Sequence, residues 1–153
     1  MKVVASLIIT KKYFTTEEIK QTVQDIETYI YHVEKLIIYN LSKYDIPEIL
    51  NKLSKYDNII EIKGNDLGQV YNYNNALALC YKEGADFGVI LELGYFYEES
   101  DFLILKRFAI DNPDTAIISP NPVLTCEEPH RLGIESREIK GCHLVGTLIN
   151  LHY

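Results

Sequence analysis

The stretch DLGQVYNYNNALALCYKEGADFGVILELGYFYEES, residues 66–100, decides the fold class. Asp66, Leu67 and Gly68 form a turn that opens a helix. The helix continues to Glu83, and Gly84 is its natural stop, because glycine readily takes the left-handed conformation that ends helices. Residues 87–91 follow as an apolar run with no polar alternation, the pattern of a strand covered on both faces. That strand runs out into Glu92, Leu93 and Gly94. A turn, a helix and a doubly buried strand in succession make up most of a βαβ unit and predict a parallel sheet.

The same alternation extends to either side. Residues 3–10 read as a first buried strand. Thr15 and Glu18 form a T-x-x-E capping box, which predicts a helix to about Tyr31 with Ile19, Val23, Ile26 and Ile30 on its inner face. KLIIYN, residues 35–40, is a second strand. Pro47 suits a first helical turn and opens a helix sending Ile49, Leu50 and Leu53 inward. NIIEI, residues 58–62, is a third strand. Farther on, Ser100 or Asp101 is expected to cap a helix reaching Ile110. TAIIS, residues 115–119, is a fifth strand, and residues 143–151 form a last one after a loop holding Pro120, Pro122 and Pro129. The expectation is a single domain over residues 1–153: a three-layer α/β sandwich with a mostly parallel, Rossmann-like sheet.

Composition narrows the class of partner. A chain of 153 residues can bury a substantial core, and its net charge of −7 opposes general nucleic-acid binding, which needs Lys and Arg against phosphate. No apolar run approaches the ~20 residues that span a bilayer, so the chain is not expected to span a membrane. The short N-terminal apolar segment is β-branched and reads as a strand rather than a signal peptide. Cys80, Cys126 and Cys142 are odd in number and lack CxxC spacing, and His32, His130, His143 and His152 show no ligand spacing. Reduced, buried thiols and a cytoplasmic location are expected.

In open α/β sheets, ligands bind beyond the carboxyl ends of the strands, where strand order reverses. That rule selects Thr10, Asn40, the turn from Asn65 to Gly68, and Glu92 to Gly94. Two readings stand at each. Gly68 lets a ribose or pyrophosphate approach the backbone before a helix, or it simply reverses the chain. Asn40 reads a pyrimidine edge, or it supplies turn geometry. Asn74 is as readily structural as functional. Among 12 tyrosines, Tyr39, Tyr71, Tyr73, Tyr95 and Tyr97 fall near strand ends or helix starts. They stack on a base or sugar, or they pack and line an interface; packing or an interface is preferred, which makes a homo-oligomer an expectation.

With those residues in place, the chain resembles the nucleotide-sugar-binding half of the family 2 glycosyltransferases, which have a GT-A fold, and the rhamnosyltransferase-like members in particular. IITKK carries Thr10 of the family's opening Thr-Tyr-Asn type sequence. KLIIYNLS places Asn40 where members carry the Asp that reads uracil or thymine. DLGQVYNYNNA keeps the spacing from the family's Asn-x-Gly to its Ala-x-Asn, with Asp66, Gly68 and Asn74 at the matching positions. VILELG supplies Glu92, Leu93 and Gly94 where members carry Asp-x-Asp. HLVGTLINL aligns Gly146 and Thr147 with a later Ser-Gly-Ser strand.

The resemblance implies a transferase of polysaccharide biosynthesis that takes a sugar from a nucleoside diphosphate to a glycan acceptor. Thr10, Asn40, Asp66, Gly68 and Asn74 would surround the nucleotide. A divalent cation, Mn²⁺ or Mg²⁺, would be held at Glu92 and would offset the charge on the departing diphosphate. Gly94 removes the second acid. Glu98, Glu99 and Asp101 are the next acids along, although acids before a helix are also ordinary charge placement. The half of family members that supplies the acceptor site and catalytic base has no counterpart here, so the catalytic base is unassigned. The alternative expectation is a non-catalytic, truncated or degenerate transferase-fold domain that binds a partner or oligomerises. An unrelated nucleotide-binding domain is a third, weakened by the lack of any GxGxxG or GxxxxGK[ST] sequence.

Overall fold

VVASLII becomes strand β1 (Val3–Ile9), and all 7 of its residues are buried. Such a strand needs neighbours for its backbone on both edges and helices on both faces. Both conditions are met. Strand β2 (Lys35–Asn40) lies parallel on one side, from Val4 opposite Lys35 to Ile9 opposite Asn40. Strand β4 (Phe87–Glu92) lies parallel on the other, from Val3 opposite Phe87 to Ile8 opposite Glu92. Strand β3 (Ile59–Lys63) extends the sheet beyond β2, again parallel. Beyond β4 come β6 (Leu148–Asn150), antiparallel to it, and then β5 (Ile117–Ile118). The six-stranded sheet therefore runs β3-β2-β1-β4-β6-β5 and is mostly parallel, as expected.

The computed structural model describes residues 1–94, 96, 98–118 and 147–152. Tyr95, Tyr97, Ser119, Pro120, Pro122, Cys126, Pro129, His130, Cys142, His143 and Gly146, all singled out from the sequence, lie outside the described residues.

Helix α1 (Thr16–Ile30) starts at the predicted capping box: Glu18 N–H donates to Thr15 Oγ1 and Thr15 N–H to Glu18 Oε2. Helix α2 (Pro47–Leu53) has Pro47 in its first turn, and α3 (Gln69–Lys82) ends with Gly84 at φ +72. Helix α4 (Glu99–Asp111) starts earlier than expected. Glu98 is its N-cap and makes no side-chain cap bond, so Ser100 and Asp101 sit inside the first turn. The helices divide between the two faces. Val3, Ala5, Leu7 and Ile9 share a core with Ile26 of α1, Ile49 of α2 and Phe102 of α4. On the opposite face, Ile8 and Val4 meet Tyr73, Ala76 and Cys80 of α3. The three-layer sandwich is thus realised. No helix among the described residues is long and apolar enough to cross a membrane.

Two measurements check this packing. Leu7 is fully buried at the centre of the sheet, and Leu7→Ala is expected to lower stability by about 2–5 kcal/mol in urea unfolding. A loss under ~0.5 kcal/mol, the usual scale for surface substitutions, would contradict the placement. Burial pushes the Cys80 thiol up to about 12. Peptide mapping should therefore find Cys80 unalkylated in the native protein at neutral pH and alkylated in urea.

Candidate functional site

The chain runs outward from β1 through β2 to β3, then returns to place β4 on the other side of β1. The strand order thus reverses between β1 and β4, and their carboxyl ends flank the position where such sheets hold ligands. Thr10 follows β1 directly and is exposed. Glu92 ends β4 opposite Ile8. Backbone bonds draw the other strand ends into the same edge: Leu41 N–H donates to Ile9 O at 2.7 Å, and Gly64 N–H to Asn40 O at 3.0 Å. Asn40 and Glu92 sit two strand spacings apart, ~10 Å.

On the α3 face, the turn before the helix is knit by side chains. Asp66 Oδ1 accepts from Gly68 N–H at 3.1 Å and from Asn72 Nδ2 at 2.8 Å, while Asn72 Oδ1 accepts from Leu67 N–H at 3.1 Å. The Asn72 bond, then the Gly68 N–H, hold the Asp66 carboxyl below the ordinary 3.8. Gly68 has φ +92, which favours glycine, and a Cβ there would meet nothing within 4 Å. The space above this backbone is open. From the first turn of α3, Gln69 Nε2 donates to Tyr73 Oη at 2.9 Å, and the Tyr73 hydroxyl donates to Glu92 Oε1 at 2.7 Å. Burial, then the bond to Glu92, raises the Tyr73 phenol. Tyr73 therefore ties the start of α3 to the end of β4. Asp66, Gly68 and Glu92 belong to one side of the edge.

Asn74 does not join them. Helical phase turns Asn72 and Tyr73 inward and leaves Asn74 exposed. Asn72 is the residue sequence reading passed over, and Tyr73, singled out there as a stacking or packing tyrosine, was not expected to bond Glu92. The usable signal was position: Asn72 lies four residues past Gly68, where a first-turn side chain can reach back to the turn.

Asn40 faces the other way. Strand alternation places it with Leu36 and Ile38 on the α1/α2 face. Its Nδ2 donates to Tyr44 O and to Glu61 Oε1, both at 2.8 Å, and its Oδ1 accepts from Ser42 N–H and from Ser42 Oγ. Every hydrogen-bonding position of this buried carboxamide is engaged in shaping the turn after β2. Beside that turn lies a groove of about 160 Å³ lined by Lys12, Tyr13, Phe14, Asp45, Pro47 and Ile49. The volume is close to the ~150 Å³ that holds a benzene ring. Tyr13 is 72% exposed, with its ring 5.5 Å from that of Tyr44. Of the tyrosines expected near strand ends, Tyr39 and Tyr73 are buried packing residues and Tyr71 is exposed. The aromatic pair at the groove was not anticipated.

Of the acids after β4, Glu99 is engaged elsewhere. Glu99 pairs with His32 Nε2 at 2.6 Å, and Gly94 sits at φ +78, a conformation that L side chains rarely adopt. Among the described residues there is no group of three His, Cys, Asp or Glu side chains placed to hold a metal. Glu92 stands as a single carboxylate with one oxygen taken by the Tyr73 hydroxyl, short of the ligand set that a protein-held cation needs. Comparison with protein-family models and with curated proteins returns no match.

Two substitutions separate the asparagines. Asn40→Ala is expected to cost about 1–3 kcal/mol, because it leaves buried partners unpaired. Asn74→Ala should stay within ~0.5 kcal/mol; the reverse order in thermal unfolding would overturn the assignment. The Asp66 turn predicts a pH effect. A depressed carboxyl contributes stability above its unfolded pKa, and that contribution is lost as pH falls through the folded value. The Gly68 amide resonance should therefore titrate with a midpoint below 3.8, and a midpoint at or above it would refute the bond.

Proposed function

We propose that this chain is a nucleotide-sugar-binding domain of the family 2 glycosyltransferase type, with a GT-A arrangement of its sheet. It would hold a nucleoside-diphosphate sugar along the carboxyl edge, for transfer of the sugar to a glycan acceptor. The observation that carries this reading is the convergence of Thr10, the Asp66–Gly68 turn and Glu92 at the reversal between β1 and β4. In this reading the base enters the groove against Tyr13, and the diphosphate passes Thr10 toward the open backbone at Gly68 and Gly94. Asn40 serves by fixing the turn that carries Tyr44 and Asp45. When bound, a divalent cation would supply charge neutralisation on the departing diphosphate. In the transfer itself, the anomeric C–O bond to the diphosphate breaks and one to the acceptor oxygen forms. The acceptor proton passes to a base outside the residues assigned here.

One observation favours the alternative of a binding domain without catalysis. Glu92 is already engaged by Tyr73, and the following turn carries Gly94 in place of a second acid. The two readings part on one series of measurements. Calorimetric titration with UDP, dTDP and GDP in the presence of Mn²⁺ is expected to show saturable binding by at least one. Tyr13→Ala should weaken it about fivefold or more, the equivalent of ~1 kcal/mol of ring stacking. Silence from all three nucleotides ends the proposal. Binding without donor hydrolysis, unaltered by Glu92→Ala, selects the non-catalytic reading.

A further inference from the structure

The loops that follow β1, β2 and β3 bring four lysines to the carboxyl edge. Lys11 pairs with Glu18 and Lys63 with Asp45. Lys12 and Lys43 are exposed and form no ion pair among the described residues. Lys43 is also alone among the described non-glycine residues in having a positive φ, +65, where Gly, Asn and Asp are the usual occupants. The turn holds it there. Asn40 bonds to both flanking residues, accepting from Ser42 N–H and donating to Tyr44 O. Lys43 thereby stands between the two parts of the candidate site. Tyr44 follows it directly, with its ring 5.5 Å from that of Tyr13 at the groove. Toward the α3 turn, the Lys43 charge adds to the bonds from Asn72 and Gly68 N–H that hold the Asp66 carboxyl low. Asp66 does not neutralise Lys43 in return, because the two form no ion pair and Asp66 Oδ1 already accepts two N–H groups.

We propose that Lys43, joined by Lys12, neutralises the diphosphate of the bound nucleotide, so that the donor binds without a divalent cation. This rests on the donor-site reading, in which the base lies against Tyr13 and the diphosphate runs toward Gly68. That path leads from the groove past the turn that carries Lys43. Asp45, Asp66 and Glu92 put three carboxylates along the same edge of a chain whose net charge is −7, so a diphosphate there needs positive charge beside it. Glu92, with one oxygen engaged by Tyr73, is poorly equipped to bring that charge as a metal ion. A lysine ammonium is a compact point charge with three donors and serves phosphate directly.

The test is calorimetric titration with whichever of UDP, dTDP and GDP binds, once with Mn²⁺ and once with EDTA. Chelation is expected to leave binding intact or to tighten it, since a cation on the diphosphate competes with the ammonium. Lys43→Asn suits the left-handed backbone and should keep the melting temperature. It should weaken binding about tenfold or more, the scale of one hydrogen bond to a charged group. Lys43→Arg should restore most of the affinity. Lys52→Asn removes the same charge from the exposed side of α2 and should stay within about twofold, because distant surface charges are screened. Binding lost on chelation overturns the proposal, as does a Lys43→Asn chain that binds as tightly as the Lys52→Asn chain. Either result leaves the donor-site reading standing, whereas silence from all three nucleotides ends both.

Discussion

The burial of β1 between two parallel neighbours is the constraint on which the rest of the structure depends. A strand of apolar residues with no solvent face must be paired on both edges, and β2 and β4 supply that pairing from opposite directions along the chain. The chain therefore has to cross back over β1 between β3 and β4, and α3 makes that crossing. The reversal of strand order follows, and with it the meeting of the β1 and β4 carboxyl ends. The location of the candidate site is a consequence of how the centre of the sheet is satisfied.

Within that edge, the two faces have different character. On the α3 face, Asp66, Asn72, Gln69, Tyr73 and Glu92 form short hydrogen-bonded links between the turn, the helix start and the strand end. Fixed in this way, Glu92 has a defined orientation while one of its oxygens is engaged. On the α1/α2 face, Asn40 holds the turn beside an aromatic groove. A ligand long enough to use both must lie across the end of β1, past Thr10. The nucleoside diphosphate proposed above would have to bind in an extended form to do so.

Elements governed by local chemistry were legible in the sequence. The Thr15–Glu18 box, Pro47 and Gly84 each mark a boundary through their own backbone preference, and the corresponding helices lie where those signals put them. The start of α4 was not legible, since Glu98 caps it without a side-chain bond. The strand ends could be ranked as candidates because the topology rule needs only element order. Which side chains point together could not be read, because that depends on helix phase and sheet face. Asn72 rather than Asn74 closes the turn, and Asn40 and Glu92 occupy opposite faces. The Tyr13–Tyr44 pair joins two loops distant in sequence, and nothing in either loop alone announces it.

The most direct measurement is a map of backbone amide shifts as a nucleoside diphosphate and Mg²⁺ are added. The account predicts that the perturbed amides cluster at the carboxyl edge, at Thr10, Tyr13, Gly68, Leu93 and Gly94. An unperturbed edge, or shifts gathered around Lys2, Asp86 and His152 at the opposite end of the sheet, would contradict it.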